Sequence, residues 1–149
     1  MERQAQDLED LLNALKPQEV VAFRDRLFEL LERAYSWDLW GAAAVISHGA
    51  SEDRFADFRN WLVSMGESVY SQAIADSQSL ADSASGPGIE DFAFEGFSSI
   101  PARVYTKLIG GEMPKYGGPR RRTPRGKRWS DQEDGLKRRY PRLWAKFRS

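Results

Sequence analysis

The chain has 149 residues, of which 41% are apolar and 30% charged, with 22 Lys+Arg balanced by 22 Asp+Glu. That composition predicts one globular domain able to bury about 70% of the surface its unfolded chain exposes. The absence of cysteine and the presence of a single histidine, His48, exclude disulfides, thiol nucleophiles and thiolate metal sites, so neither a metal nor a cofactor is expected.

No apolar run approaches the about 18 residues of a membrane span, and no basic-then-apolar leader opens the chain, so the expected setting is cytoplasmic with no membrane partner. Zero net charge hides an asymmetry. Residues 1–114 carry 9 Lys+Arg against 19 Asp+Glu, whereas residues 115–149 carry 13 against 3. Such complementarity suits either a basic tail seeking an external polyanion or a basic segment lying across its own acidic body.

In chain order, Leu8, Leu11, Leu12 and Leu15 recur at helical spacing until Lys16-Pro17 interrupts them. Pro17 then suits the first position of a second helix, about 17–35, with Glu19 in its first turn and Val20, Phe23, Leu27, Phe28, Leu31 and Ala34 along one face. Ser36 is the candidate N-cap of a third helix and Asp38 meets its dipole favourably. From Leu39 to Ile46 no residue is charged or strongly polar, which places this helix in the middle of a bundle. Gly41, Ala42, Ala43 and Ala44 would let neighbours approach closely. Trp37 and Trp40 would cover the end of that buried helix, each indole N–H needing an acceptor; the competing reading is a ligand-stacking platform.

Gly49 is expected to end the third helix, and Ser51 to cap the next, with Glu52 and Asp53 in its first turn. Phe55, Phe58, Leu62, Met65 and Val69 form a seam for helix packing, with Trp61 beside it and Gly66 at a close crossing, in one helix running through Ala73. A short helical turn is expected from Ser79 to Ser83 and a loop over residues 83–89. Phe92, Phe97, Ile100, Val104 and Leu108 suit a helix kinked or interrupted at Pro101 and stopped by Gly110-Gly111. Three prolines and three glycines make residues 112–128 a linker or an extended strap. A capping box, Ser130 with Glu133, opens a last segment anchored by Leu136, Tyr140, Leu143, Trp144 and Phe147 and divided at Pro141.

The predicted fold is therefore all-α: a compact multi-helix bundle of five to seven helices around a buried central helix, with a Pro/Gly/Arg-rich strap leading to a C-terminal helical anchor. Residues 1–110 form the helical domain, 111–128 the basic strap, and 129–149 a helical segment packed on the same domain.

The central block, from "WDLWGAAAV" through "SEDRFADFRNWLVSMG" to "DSQSLAD", resembles a bacterial family catalogued as domain of unknown function 4240. The family's pattern is similar to a W-D-L-W-A-A run, a Gly-x-Ser-Asp-Asp-x-Phe turn, F-R-x-W-L-I-x-x-G and D-x-x-S-L-A. Trp37, Asp38, Leu39, Trp40, Gly49, Ser51, Asp53, Phe55, Arg59, Trp61, Gly66, Asp76 and Leu80 are among the matching positions. The terminal "YPRLWAKF" resembles the end of longer members. The resemblance implies membership and transfers no catalytic residue. Where the family often carries Gly-Gly-Cys-Ser-Asp this chain has His48, Gly49, Ala50, Ser51 and Glu52, so any chemistry resting on that cysteine is lost.

Two groups of residues could carry function. Arg120, Arg121, Arg122, Arg125, Lys127 and Arg128, near Tyr116 and Trp129, could neutralise phosphates and stack on bases, or could clasp the acidic body while Trp144 and Phe147 anchor the end. The turn holding His48, Ser51 and Asp53, with Asp38 and Arg59 on adjoining helices, has the ingredients of acid–base or nucleophilic catalysis. Ser51, Glu52 and Asp53 are equally what a helix start prefers, and Arg59 equally suits binding carbonyls or pairing with Asp38 or Asp53. On balance the expectation is a non-enzymatic protein–protein interaction or regulatory module, monomer or homodimer, with an unidentified protein partner. The alternatives are a nucleic-acid-associated protein using residues 115–128 and a small hydrolase-like enzyme at the His48 turn.

Overall fold

The computed structural model describes residues 2–83, 97–130 and 134–148, and among them every named element is helical. Helices α1 (Glu2–Asn13) and α2 (Pro17–Arg33) pack against α7 (Ile100–Ile109), while α3 (Trp37–Ile46) lies inside. Around α3 stand α4 (Glu52–Ser64), a 3-10 turn (Ser77–Ser79) and α9 (Pro141–Phe147). Helices α5 (Glu67–Ala75), α6 (Leu80–Ser83) and α8 (Gly135–Arg139) complete nine among the described residues. That number exceeds the five to seven expected, in part because Gly66 divides the pattern read as one helix through Ala73.

The helix starts follow from local chemistry. Ser36 Oγ accepts the Leu39 N–H at 3.1 Å, and Ser51 Oγ accepts the Arg54 N–H at 3.2 Å, so each serine satisfies one of the orphan donors of a first turn. Pro17 opens α2, with the Glu19 carboxylate accepting the Lys16 N–H at 2.9 Å. Pro101 opens α7 and does not kink it, since a ring that lacks an N–H costs nothing in a first turn. Gly110 ends that helix as expected. The loop expected over residues 83–89, the Phe92 position and the Ser130–Glu133 box fall wholly or partly outside the described residues.

The predicted seam on the fourth helix holds only in part. Phe55, Phe58 and Leu62 are buried, but Met65 is exposed because the chain breaks at Gly66, whose φ of 99° no β-carbon tolerates well. An added Cβ at Gly66 would meet no atom within 4 Å, so the glycine makes a turn between α4 and α5 and not the close crossing expected of it.

The close approach occurs at Gly41. From Leu39 through Ile46 only Trp40 is less than buried, and a Cβ on Gly41 would overlap the Tyr140 hydroxyl and lie 2.8 Å from two of its ring carbons. Tyr140, 1% exposed between α8 and α9, donates its O–H to the Asp38 carbonyl at 2.6 Å. Burial, with Asp38 nearby, pushes its pKa well above the ordinary tyrosine value, so the group is a neutral donor. Tyr140 and Leu143, more than Trp144 and Phe147, fasten the terminal segment: the former pair is fully buried and the latter half-exposed.

Two arginines are built into the body. Arg24 sits on the apolar face of α2, between Val20 and Leu27, and donates to the Pro114 carbonyl at 2.6 Å and to Asp25 at 2.8 Å. Arg59 reaches from α4 to the end of α2, where its Nη1 donates to the Leu31 carbonyl at 3.0 Å. Its guanidinium also lies over the rings of Tyr35 (4.7 Å) and Phe55 (5.1 Å).

Gly41→Ala tests the tyrosine contact. Overpacking costs about 1–3 kcal/mol and the strained hydrogen bond about 0.5–1.5 more, against the roughly 1 kcal/mol that alanine gains in a helix. Chemical denaturation should show net destabilisation, and Tyr140→Phe should cost less in the Gly41→Ala background than alone. Equal stability of Gly41→Ala and parent would refute the packing argument. For the other joint, Arg59→Leu leaves the Leu31 carbonyl without its donor and should lower unfolding free energy by about 1–3 kcal/mol in the same assay.

Candidate functional site

The basic strap is held to the body by its main chain. The Arg125 N–H donates to the Tyr35 carbonyl at 2.9 Å and the Trp37 N–H donates to the Arg125 carbonyl at 2.9 Å, an isolated parallel bridge at the corner between α2 and α3. Upstream, the Arg121 N–H donates to Glu32 Oε2 at 2.8 Å, and at the strap's start Arg24 holds Pro114. Pro124 is buried beneath this run. A proline there is permitted because the bridge uses the amide of Arg125 and leaves the preceding position without a donor to satisfy.

With the backbone attached to the body, the side chains of Arg120, Arg121, Arg122, Arg125, Lys127 and Arg128 are all exposed. Two of them lie on aromatic rings. Arg120 is over Phe28 (5.5 Å) and Tyr116 (5.6 Å), and Arg128 is over Trp37 (5.4 Å) and Trp129 (5.3 Å). Farther along, Arg139 donates to the Lys127 carbonyl at 2.7 Å and approaches Asp38 to 3.7 Å. Arg142 pairs with Asp82 and Asp76, so the end of the basic half grips acidic groups near the 3-10 turn.

The paired tryptophans belong to a tier of rings beside the strap. Trp37 stacks on Trp40 at 5.2 Å, Trp40 on Phe55 at 4.8 Å, and Trp129 meets Trp37 edge-on at 5.6 Å. The Trp40 indole N–H finds its acceptor in the Ala50 carbonyl at 3.0 Å. Both rings are half-buried, not sealed in the core, since α3 begins at the domain's edge and the strap covers them from one side only.

The His48 turn is arranged differently. His48 is exposed, in the left-handed region at φ 59°, and is joined by no hydrogen bond or ion pair to Asp38, Ser51 or Asp53. Ser51 is occupied as an N-cap, Asp53 is exposed, Asp38 faces Arg139, and Arg59 is turned to Leu31. None of the three principal clefts is lined by His48, Ser51, Asp53 or Asp38. The structure thus leaves the catalytic ingredients of the turn without hydrogen bonds to one another and the strap's cations exposed.

Sequence reasoning did not single out Arg24 or Pro124. Arg24 was detectable, because its place between Val20 and Leu27 puts a cation on an apolar face where it must find an acceptor. Nothing local marks Pro124, whose burial depends on the distant Tyr35 corner.

Among the described residues no helix is long and apolar enough to cross a membrane, and no three metal-ligating side chains converge. No curated protein and no solved structure matches the chain. The family model for proteins of unknown function, DUF4240, matches residues 1–107, which contain α1–α7 almost entirely and stop short of the strap. The chain therefore belongs to the DUF4240 family.

Proposed function

We propose that the protein is a cytoplasmic binding module that acts without catalysis, presenting the outer edge of its strap to an acidic surface on a partner protein. The observation that carries the reading is the combination of a fastened strap backbone with six exposed cations. Fixing the main chain within the fold reduces the ordering cost a partner would otherwise impose, while exposed guanidinium groups steer an oppositely charged surface. Arginine suits the role because its planar fork meets carboxylates with two parallel hydrogen bonds.

A protein surface fits better than a nucleic-acid backbone because carboxylates stand beside the cations. Glu32 accepts from the strap itself, and Asp25, Glu29 and Glu32 act electrostatically on Tyr116. A uniform polyphosphate meets repulsion there, whereas a protein of mixed charge can match both signs. The second reading, binding of single-stranded nucleic acid, draws on one observation: Trp129 with Arg128 over it offers an aromatic and a cation side by side. The dispersed His48 turn lends no support to a hydrolase.

Reversing Arg122, Arg125 and Lys127 to glutamate should leave unfolding free energy within about 1 kcal/mol of the parent, since these are exposed side chains. The triple variant should lose a salt-eluted protein that the parent retains in affinity capture from its host. In filter binding, single-stranded oligonucleotides should show no steeply salt-dependent binding at micromolar protein. Steep, micromolar binding that the triple variant lacks would replace the protein-partner reading with the nucleic-acid one.

A further inference from the structure

Where the strap leaves Arg24 and approaches Glu32, it stands off the body and leaves a cavity of about 170 Å³ between α2, the Ser98 turn and Tyr116. This cavity shares only Arg120 with the run of cations described above. Arg59 lines it from the body and Arg120 from the strap. They are separated by many residues in sequence and brought together only by the fold.

Three features of the lining stand out. The Arg59 Nε–H is buried with no acceptor, although the same guanidinium is held by Leu31 and by two rings. The Tyr116 hydroxyl is likewise buried with no partner. Burial first, then the nearby carboxylates, raises the pKa of this phenol, which therefore remains a hydrogen-bond donor at neutral pH. Buried donors left unpaired are rare and call for an explanation. The third feature is charge. Burial lowers the Arg59 pKa by penalising its cation; Glu32 and Glu52 oppose that shift without reversing it, and neither forms an ion pair with the guanidinium. Glu32, the carboxylate in the lining, is engaged by the Arg121 N–H.

We propose that this cavity is a binding site for a small oxyanion, a carboxylate or phosphate group held between Arg59 and Arg120 with the Tyr116 hydroxyl as a further donor. Two guanidinium groups against one carboxylate give the lining a net positive charge, and an oxyanion supplies the acceptors that Arg59 and Tyr116 lack. A trapped water could satisfy a donor but would add nothing to the partial charge compensation that Glu32 and Glu52 give Arg59. The volume is too small for a drug-sized ligand and suits one anionic group. Asp25, Glu29 and Glu32, which act on the Tyr116 phenol from α2, oppose the anion from that side. The neighbouring cleft of about 500 Å³, which shares Phe28, Tyr116 and Arg120, leaves room for whatever carries the group.

The carrier is either a free small molecule or an acidic side chain of another protein, and the test separates them. The 15N-labelled full chain is titrated with sodium phosphate, with disodium succinate, and with an acetylated, amidated Gly-Glu-Gly-Glu-Gly peptide, each against sodium chloride at matched ionic strength. The Arg59 Nε–Hε resonance and the Ser98 and Arg120 amides should shift saturably with at least one probe. Arg120→Gln, an exposed substitution outside the core, should weaken that binding by about tenfold, the loss expected for one charge-assisted hydrogen bond. Phosphate or succinate binding tighter than the peptide assigns the site to a free anion; tighter peptide binding assigns it to a protein's acidic side chain. Shifts equal to those in chloride, or binding that Arg120→Gln leaves unchanged, would overturn the site.

Discussion

The structure depends on a tyrosine entering the one gap in a buried helix. Helix α3 is apolar on all sides, so it must be covered everywhere, and Gly41 is the point at which no side chain covers it from within. Tyr140 supplies the missing bulk from the far end of the chain, and its hydroxyl takes up the Asp38 carbonyl. Because the ring is long and its polar tip is satisfied, one residue closes the core and fastens the terminal segment together. The strap is thereby tied at both ends, to Tyr140 after it and to Arg24 before it, and its middle is bridged to Tyr35 and Trp37. A chain rich in proline and glycine, which has no regular structure of its own to offer, acquires a defined path from these attachments.

Arginine recurs at each joint for the same physical reason. Arg24 and Arg59 each give a hydrogen bond to a main-chain carbonyl while the guanidinium face lies against aromatic rings. A lysine ammonium is a compact, strongly hydrated point charge and would lose more on leaving water without matching both the carbonyl and the ring. On the strap the same chemistry appears at the surface, with Arg120 and Arg128 resting on rings while remaining exposed.

Much of this architecture was legible in the sequence where a single local force decides it. The caps Ser36 and Ser51, the proline starts, the burial of α3 and the division at Pro141 all follow from rules acting within one turn of helix. The errors arise where two local readings compete. Gly66 fits both a close crossing and a turn, and only the space around its Cα distinguishes them. Pro101 allows a kink or an interruption, and the start of α7 at Ile100 agrees with the interruption. At the candidate sites the limit is of another kind. His48, Ser51 and Asp53 are close in sequence but make no hydrogen bond to one another, whereas Arg59 and Arg120 line one cavity from positions whose nearness depends on the strap's route.

The charge asymmetry finds a physical account in that route. The basic half divides its labour: α8 and α9 spend Arg139 and Arg142 on Asp38, Asp76 and Asp82, while residues 120–128 attach chiefly through main-chain amides and carbonyls. Attachment by main chain is insensitive to which cation occupies each position, so the side chains of the run are left exposed. If mutual attraction alone fastened the strap, its arginines would be turned inward onto carboxylates, and ionic strength would loosen it. Hydrogen bonds, the buried Pro124 and the Tyr140 anchor make it a fixed feature of the fold, so its charges keep a defined arrangement that a disordered basic tail lacks.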